Sequence, residues 1–78
     1  MAKDFIKFLE KHPQKEKLLD IVEDIYYDKL ENYDIKSLIW YKNYYRLRKW
    51  NIRFIFEKTD KWNMIHHIGN RWDVYKYL

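Results

Sequence analysis

Two runs of alternating side chains, separated by a short turn, constrain the fold of this chain most strongly. The runs span Tyr44–Lys49 and Ile52–Lys58. Side chains of a β-strand point to opposite faces in turn, so every second residue of each run shares a face. If the runs pair as a hairpin, one face carries apolar side chains and the other carries three guanidinium groups, those of Arg46, Arg48 and Arg53.

The turns around these runs predict an antiparallel meander. Asn51 is expected to take positive φ in the first turn, and residues 59–61 form the second. A third strand is predicted at Trp62–Ile68, and the Gly69-Asn70 pair ends the sheet just before Arg71. These elements define a small antiparallel sheet.

The residues before the sheet predict two helices that form an αα-hairpin. The first spans roughly residues 3–11, His12-Pro13 breaks it, and the second spans roughly residues 13–31. Apolar side chains recur at helical spacing in both, so the hairpin can cover one face of the sheet. Residues 32–43 are predicted to connect the two halves. Helices followed by an antiparallel sheet make residues 1–78 a single α+β domain.

Length and composition limit the function classes. A chain of 78 residues buries only about 60% of its unfolded surface. It contains no cysteine, which excludes disulfides and thiolate metal sites and fits a reducing cytoplasm. No apolar run approaches the roughly 20 residues that cross a bilayer, so a cytoplasmic protein without a membrane partner is expected.

The adjacent His66 and His67 would face opposite sides of a strand, which argues against a shared metal ion and for half-buried strand histidines.

Charge is distributed unevenly along the chain. Residues 1–39 hold seven Lys and nine acidic residues, a net charge of −2, whereas residues 40–78 hold nine Lys and Arg and three acidic residues, a net charge of +6. All four arginines lie in the second half, where their planar forks suit paired donation to phosphate. Nucleic acid is the simplest partner for such a surface. An acidic protein partner, or an ordinary solvated sheet face, would also account for it.

Three motifs carry a resemblance to a known family. The ordered series YRLR, IRFIF and IGNRWDVY resembles the RelE/ParE superfamily of bacterial and archaeal toxins, and is most similar to the RelE-type mRNA interferases. The upstream DIKSL resembles the connection into the sheet of that family, and FIKFLEKHP resembles its first helix. The family opens with a strand before the first helix. Residues 1–4 are too short for one, so a RelE-like sheet without that first strand is expected.

The resemblance implies the toxin of a type II toxin–antitoxin system. Its expected activity is that of a ribosome-dependent endoribonuclease that cleaves mRNA in the A site. The ribose 2′-OH attacks the adjacent phosphate and leaves a cyclic phosphate end. The implied partners are a cognate antitoxin and mRNA on the ribosome, and no cofactor or metal is implied.

The same resemblance assigns roles to individual residues. Arg71, Tyr75 and Arg53 are expected to be catalytic, with Tyr75 as general base and Arg71 stabilising charge on the leaving group. The RNA and its phosphate would be held by the remaining set, which comprises Arg46, Arg48, Lys49 and Trp50.

Alternatives remain open for several of these assignments. His67 is a second candidate for proton transfer, and Tyr75 also fits an ordinary core aromatic. Trp50 can stack on a base or lie on the sheet. At the level of function, the alternatives are a ParE-like poison of DNA gyrase and a truncated, non-catalytic relative that only binds a partner.

Overall fold

The computed structural model describes residues 4–39 and 41–70. Two helices precede four strands, in the order α1 (Asp4–Lys11), α2 (Lys15–Tyr26), β1 (Asp34–Ser37), β2 (Tyr44–Lys49), β3 (Ile52–Lys58) and β4 (Asn63–Asn70). The predicted α+β class, with an αα-hairpin and an antiparallel sheet, is confirmed. The residues before α1 lie outside the described part of the chain, so the expected absence of a first strand stays a prediction.

The four strands form one antiparallel sheet in the order β1-β2-β3-β4. The prediction missed β1, which lies in the segment assigned to a connection. This strand has four residues and only one half-buried side chain, Ile35, so it has almost no apolar alternation to reveal it. Its pairing with β2, in which Ile35 lies opposite Leu47, creates the strand.

The second helix ends at Tyr26 rather than near residue 31. Asp28 has a φ of 60°, in the left-handed region that terminates helices. The Lys29 amide donates to the Asp24 carbonyl over 2.8 Å, and the Asp28 amide donates to the Ile25 carbonyl over 3.1 Å. These two bonds form a Schellman motif. The predicted helix was too long because positive φ after a helix is typical of glycine, and the aspartate at this position gave no such signal.

The core lies between the helical hairpin and one face of the sheet. Leu18 and Ile25 of α2 pack with Phe54 and Phe56 of β3, and all four side chains are fully buried. Fully burying a side chain of this size stabilises the fold by about 1.5–3 kcal/mol. The predicted apolar side of β3 therefore faces the helices.

A buried amide fastens the hairpin to the sheet. Asn63, at the start of β4, donates from Nδ2 to the Ile25 carbonyl over 3.0 Å and to Asp28 Oδ1 over 2.9 Å. The first acceptor lies in the last turn of α2, and the second belongs to the left-handed residue that follows the helix. The polar group is thus satisfied in a position where an unpaired amide would be costly.

None of the helices in the described residues is both long enough and apolar enough to cross a membrane.

Candidate functional site

Three arginines lie together on the sheet face that points away from the helices. Arg48 is directly opposite Arg53 in the β2–β3 ladder, and Arg46 is opposite Ile55. Residues paired in this way project to the same face with Cβ atoms about 5 Å apart. We call this surface, which carries Arg46, Arg48 and Arg53, the arginine face. The alternation in the sequence correctly predicted that these three side chains share one side.

The burial of two of these arginines does not fit an ordinary solvated face. Arg46 is 9% exposed and Arg53 is 8% exposed, whereas the side chain of Arg48 is 52% exposed. A charged group withdrawn from water is costly unless another charge compensates it. No carboxylate of the described residues forms an ion pair with Arg53. The arginine face therefore holds more positive charge than its described neighbours neutralise.

Asp34 is the acidic group that bridges the other two arginines. Its Oδ2 atom lies 2.7 Å from Arg48 Nη2 and 3.6 Å from Arg46 Nη1. Buried Arg46 Nη1 has no closer hydrogen-bond partner in the described structure. One carboxylate oxygen thus sits between two guanidinium groups, a position that a phosphate oxygen can also fill. Sequence reasoning missed Asp34 because it lies on the strand that was not predicted.

Lys49 and Trp50 lie apart from the arginine face. Lys49 pairs with buried Ile52 and so belongs to the helix side of the sheet, and its Nζ atom lies 5.5 Å from the centre of the Trp50 ring. Trp50 is 48% exposed and lines a surface cavity of about 310 Å³ with His12 and Gln14 of the helical turn. The predicted RNA-binding set is therefore divided between the two sides of the sheet.

The β2–β3 turn differs from its prediction in one residue. Trp50, not Asn51, takes the positive φ, at 57°. A left-handed backbone at the first position of a two-residue hairpin turn suits glycine, and a side chain with a Cβ atom makes it strained. Strain of this kind persists where the rest of the structure imposes it, and it is common at functional sites.

We expect the free energy of unfolding of Trp50→Gly to exceed that of Trp50→Ala by about 1 kcal/mol. Trp50→Gly should therefore unfold at a higher urea concentration. Both variants lose the same ring contacts, but only glycine relieves the left-handed strain. Circular dichroism during urea unfolding measures the difference. Identical midpoints would mean that the backbone of residue 50 stores no strain.

The histidine pair departs from simple alternation. The β3–β4 register shifts between Ile55 and Phe56, where His67 lies opposite Ile55 and Ile65 lies opposite Phe56. His66 is the extra residue of this β-bulge, and a bulge changes the direction of side chains. Both histidines consequently belong to the arginine face, so the argument that they face opposite sides was wrong. Among the described residues, no group of three His, Asp or Glu side chains has a metal-binding arrangement.

A carboxylate and a phenol surround His66. Its Nε2 atom lies 3.0 Å from Glu57 Oε1, and its ring stacks on that of Tyr44 with centroids 4.9 Å apart. Burial and the adjacent Glu57 carboxylate raise the pKa of Tyr44, so this phenol stays protonated. The side chains of His66 and Glu57 are 33% and 32% exposed, whereas His67 is buried at 5%. The bulge that creates this cluster leaves no pattern in the sequence.

Arg71 and Tyr75 lie outside the described residues. Their predicted catalytic roles remain predictions.

A comparison with solved structures finds a similarity that extends over nearly the whole chain. The chain is similar to a solved chain from the RelB–RelE antitoxin–toxin complex of Methanococcus jannaschii, with a TM-score of 0.74 and 27% sequence identity. The similarity covers 99% of this chain and 95% of that chain. No protein-family model matches the sequence, and neither does any curated protein. The two chains therefore share a fold over nearly their full lengths.

Proposed function

We propose that the protein is the toxin of a type II toxin–antitoxin system and acts as a ribosome-dependent endoribonuclease. The observation that carries the proposal is Arg53, a buried guanidinium without a carboxylate partner in the described residues, beside Arg48 on one face. Two cations held together in this way favour a dianionic or polyanionic ligand. An RNA backbone supplies that charge.

The structural comparison supports a place in a toxin–antitoxin system. The similar chain comes from a complex of an antitoxin with its toxin. A packed α+β core with a positively charged face suits the enzyme of such a pair better than a segment that only covers a partner. The cognate antitoxin would be the protein partner, and mRNA on the ribosome the substrate.

The proposed reaction uses the arginine face to stabilise charge. The ribose 2′-OH attacks the neighbouring phosphorus, and the P–O5′ bond breaks to leave a 2′,3′-cyclic phosphate and a 5′-OH end. Negative charge grows on the phosphorane oxygens and on O5′ during this step. Fixed guanidinium groups stabilise such charge without reorganising, which is the largest single contribution in many enzymes.

Each arginine has a distinct part in this proposal. Arg46 and Arg48 would hold the scissile phosphate at the position now taken by the Asp34 carboxylate. Arg53, which lies opposite Arg48 in the β2–β3 ladder, would stabilise the phosphorane. Arg71 would stabilise the leaving O5′, and Tyr75 is one candidate for proton transfer. Lys49 and Trp50 lie outside the arginine face, so they would contact only RNA that extends past it.

Mapping the ends of translated mRNA tests the proposal. In a translating extract, the wild-type protein should produce cuts inside A-site codons, with 2′,3′-cyclic phosphate ends. Arg71→Ala should slow this cleavage by about 10²-fold or more. Tyr75→Phe should slow it to a similar extent only if the phenol transfers a proton. Full activity in both variants would contradict the assignment of these residues.

The alternative functions predict different results in the same experiment. A ParE-like gyrase poison would leave mRNA intact and cause DNA breaks to accumulate. A non-catalytic relative would do neither, and its expression without an antitoxin would leave growth unchanged. Either result would overturn the proposed activity.

Asp34 provides a test of the phosphate position. We expect Asp34→Asn to bind single-stranded RNA about five-fold more tightly, close to 1 kcal/mol, because the carboxylate no longer competes for Arg46 and Arg48. Fluorescence anisotropy at fixed low salt measures the change, since such affinities depend strongly on ionic strength. Asp60→Asn makes the same charge change in the exposed β3–β4 turn and should have a much smaller effect. Weaker binding by the Asp34 variant would mean that the carboxylate only orients the arginines.

A further inference from the structure

The Glu57–His66 pair lies on the arginine face, one row of paired residues beyond Arg46. Glu57 is opposite Tyr44, and Ile55 is opposite Arg46, so the row that holds Glu57 follows the row that holds Arg46. Two residues along a strand span about 7 Å. A ribose attached to a phosphate at Arg46 can therefore reach the imidazole of His66.

The bulge makes this arrangement possible. In a regular ladder, one of two adjacent histidines would point toward the helices. The register shift between Ile55 and Phe56 leaves His66 as an additional residue, and the contact with Glu57 fixes it on the arginine face. Bulges that redirect a side chain are frequent next to active sites.

The contacts of His66 define which ring nitrogen is available. Nε2 is 3.0 Å from Glu57 Oε1, so a neutral imidazole donates its Nε2 proton to this carboxylate. The lone pair is then on Nδ1. A carboxylate that fixes the tautomer and orientation of an imidazole is a recurring device in catalytic sites. The stacked Tyr44 ring, at an interplanar angle of 25°, restricts rotation of the imidazole further.

We propose that His66, oriented by Glu57, is the general base of the RNA cleavage reaction. The inference rests on the proposed nuclease function and adds a catalytic residue to it. His66 Nδ1 takes the proton of the 2′-OH as the 2′ oxygen bonds to phosphorus. The P–O5′ bond breaks, O5′ takes a proton from water, and the hydroxide so formed removes the proton from His66. The net products are the cyclic phosphate and the 5′-OH, with the enzyme unchanged.

The neighbours of His66 are compatible with this role. Glu57 on β3 faces it with a negative charge, Tyr44 on β2 faces it as a neutral phenol, and His67 follows it on β4. Arg46, which is positively charged, lies one row of paired residues away. The imidazole is one-third exposed, so a substrate can approach it, whereas His67 is buried.

Single-turnover cleavage of mRNA on stalled ribosomes, measured across pH, tests the inference. The wild-type rate should rise with pH, as a reaction that needs an unprotonated base does, and then level off. His66→Gln should be about 10²-fold slower and should lack this rise. Glu57→Gln should keep the rise but be about ten-fold slower, because it only weakens the orientation of the ring. RNA affinity should be unchanged in His66→Gln, which keeps the neutral form of the side chain.

A second measurement separates catalysis from structure. Imidazole added to the buffer should restore part of the cleavage by His66→Ala, because the partly exposed site admits a small base. It should not accelerate cleavage by the wild-type protein. A merely structural histidine would not respond to imidazole. Wild-type rate and an unaltered pH profile in His66→Gln would overturn this inference while leaving the nuclease function intact. Absence of cleavage by the wild-type protein would instead overturn the proposed function and, with it, the inference.

Discussion

An Arg53→Met variant should cleave mRNA about 10²–10³-fold more slowly than the wild type, although it folds at least as well. Arg53 is 8% exposed and lies directly opposite Arg48. Methionine keeps most of the aliphatic volume and removes the charge, so the phosphorane loses a fixed cation. Cleavage of ribosome-bound mRNA under single-turnover conditions measures this loss.

The stability of the same variant should change in the opposite direction. Like charges directly opposite in a ladder destabilise a sheet by about 0.2–1 kcal/mol, and the substitution removes one of them. We therefore expect the free energy of unfolding to stay constant or to rise in urea titrations. Lys61→Met removes the same charge from the exposed β3–β4 turn and should leave the cleavage rate unchanged. A fast and less stable Arg53→Met protein would show that the guanidinium is a packing element rather than a catalytic one.

The periodicity of strands explains which parts of the site the sequence could predict. Alternation placed Arg46, Arg48 and Arg53 on one face because period-two patterning follows directly from strand geometry. The core predicted for β3 is correct for the same reason. Both features depend only on residues close together in the chain.

The remaining features of the site depend on partners that are distant in the chain or on local irregularity. Asp34 reaches Arg48 only because β1 pairs with β2, and a four-residue edge strand has too little pattern to be predicted. His66 joins the arginine face through a bulge, which inserts one residue without a compositional signal. The strain at Trp50 was missed because the neighbouring asparagine was the more obvious residue for positive φ. The errors at Asp34 and His66 lie on the arginine face, where local rules most often yield to function.

The largest effect on stability is expected at Asn63, which joins the helical half of the molecule to the sheet. The side chain is 6% exposed, and its two donated bonds end on Ile25 and Asp28, which lie 38 and 35 residues earlier in the chain. β4 contacts both helices, so this amide fixes where the hairpin lies on the sheet. Apolar packing alone does not specify that position so closely, because it lacks direction.

We expect Asn63→Ala to lower the free energy of unfolding by about 2–3 kcal/mol, measured by urea titration. The expected loss combines one hydrogen bond to the Ile25 carbonyl and one to the charged Asp28 carboxylate. A domain of this size has a total stability of only about 4–12 kcal/mol, so the loss is a large part of it.

Two comparisons make this prediction specific to the buried amide. Asn70→Ala is the same substitution at the exposed end of β4 and should change stability by less than about 0.5 kcal/mol. Asn63→Asp keeps the size of the side chain but replaces both N–H donors with a carboxylate that faces Asp28. It should therefore be less stable than Asn63→Ala at neutral pH and should recover as the pH falls, because protonation removes the repulsion. Equal stability of the wild type and Asn63→Ala would mean that packing between α2 and β4 alone holds the hairpin in place.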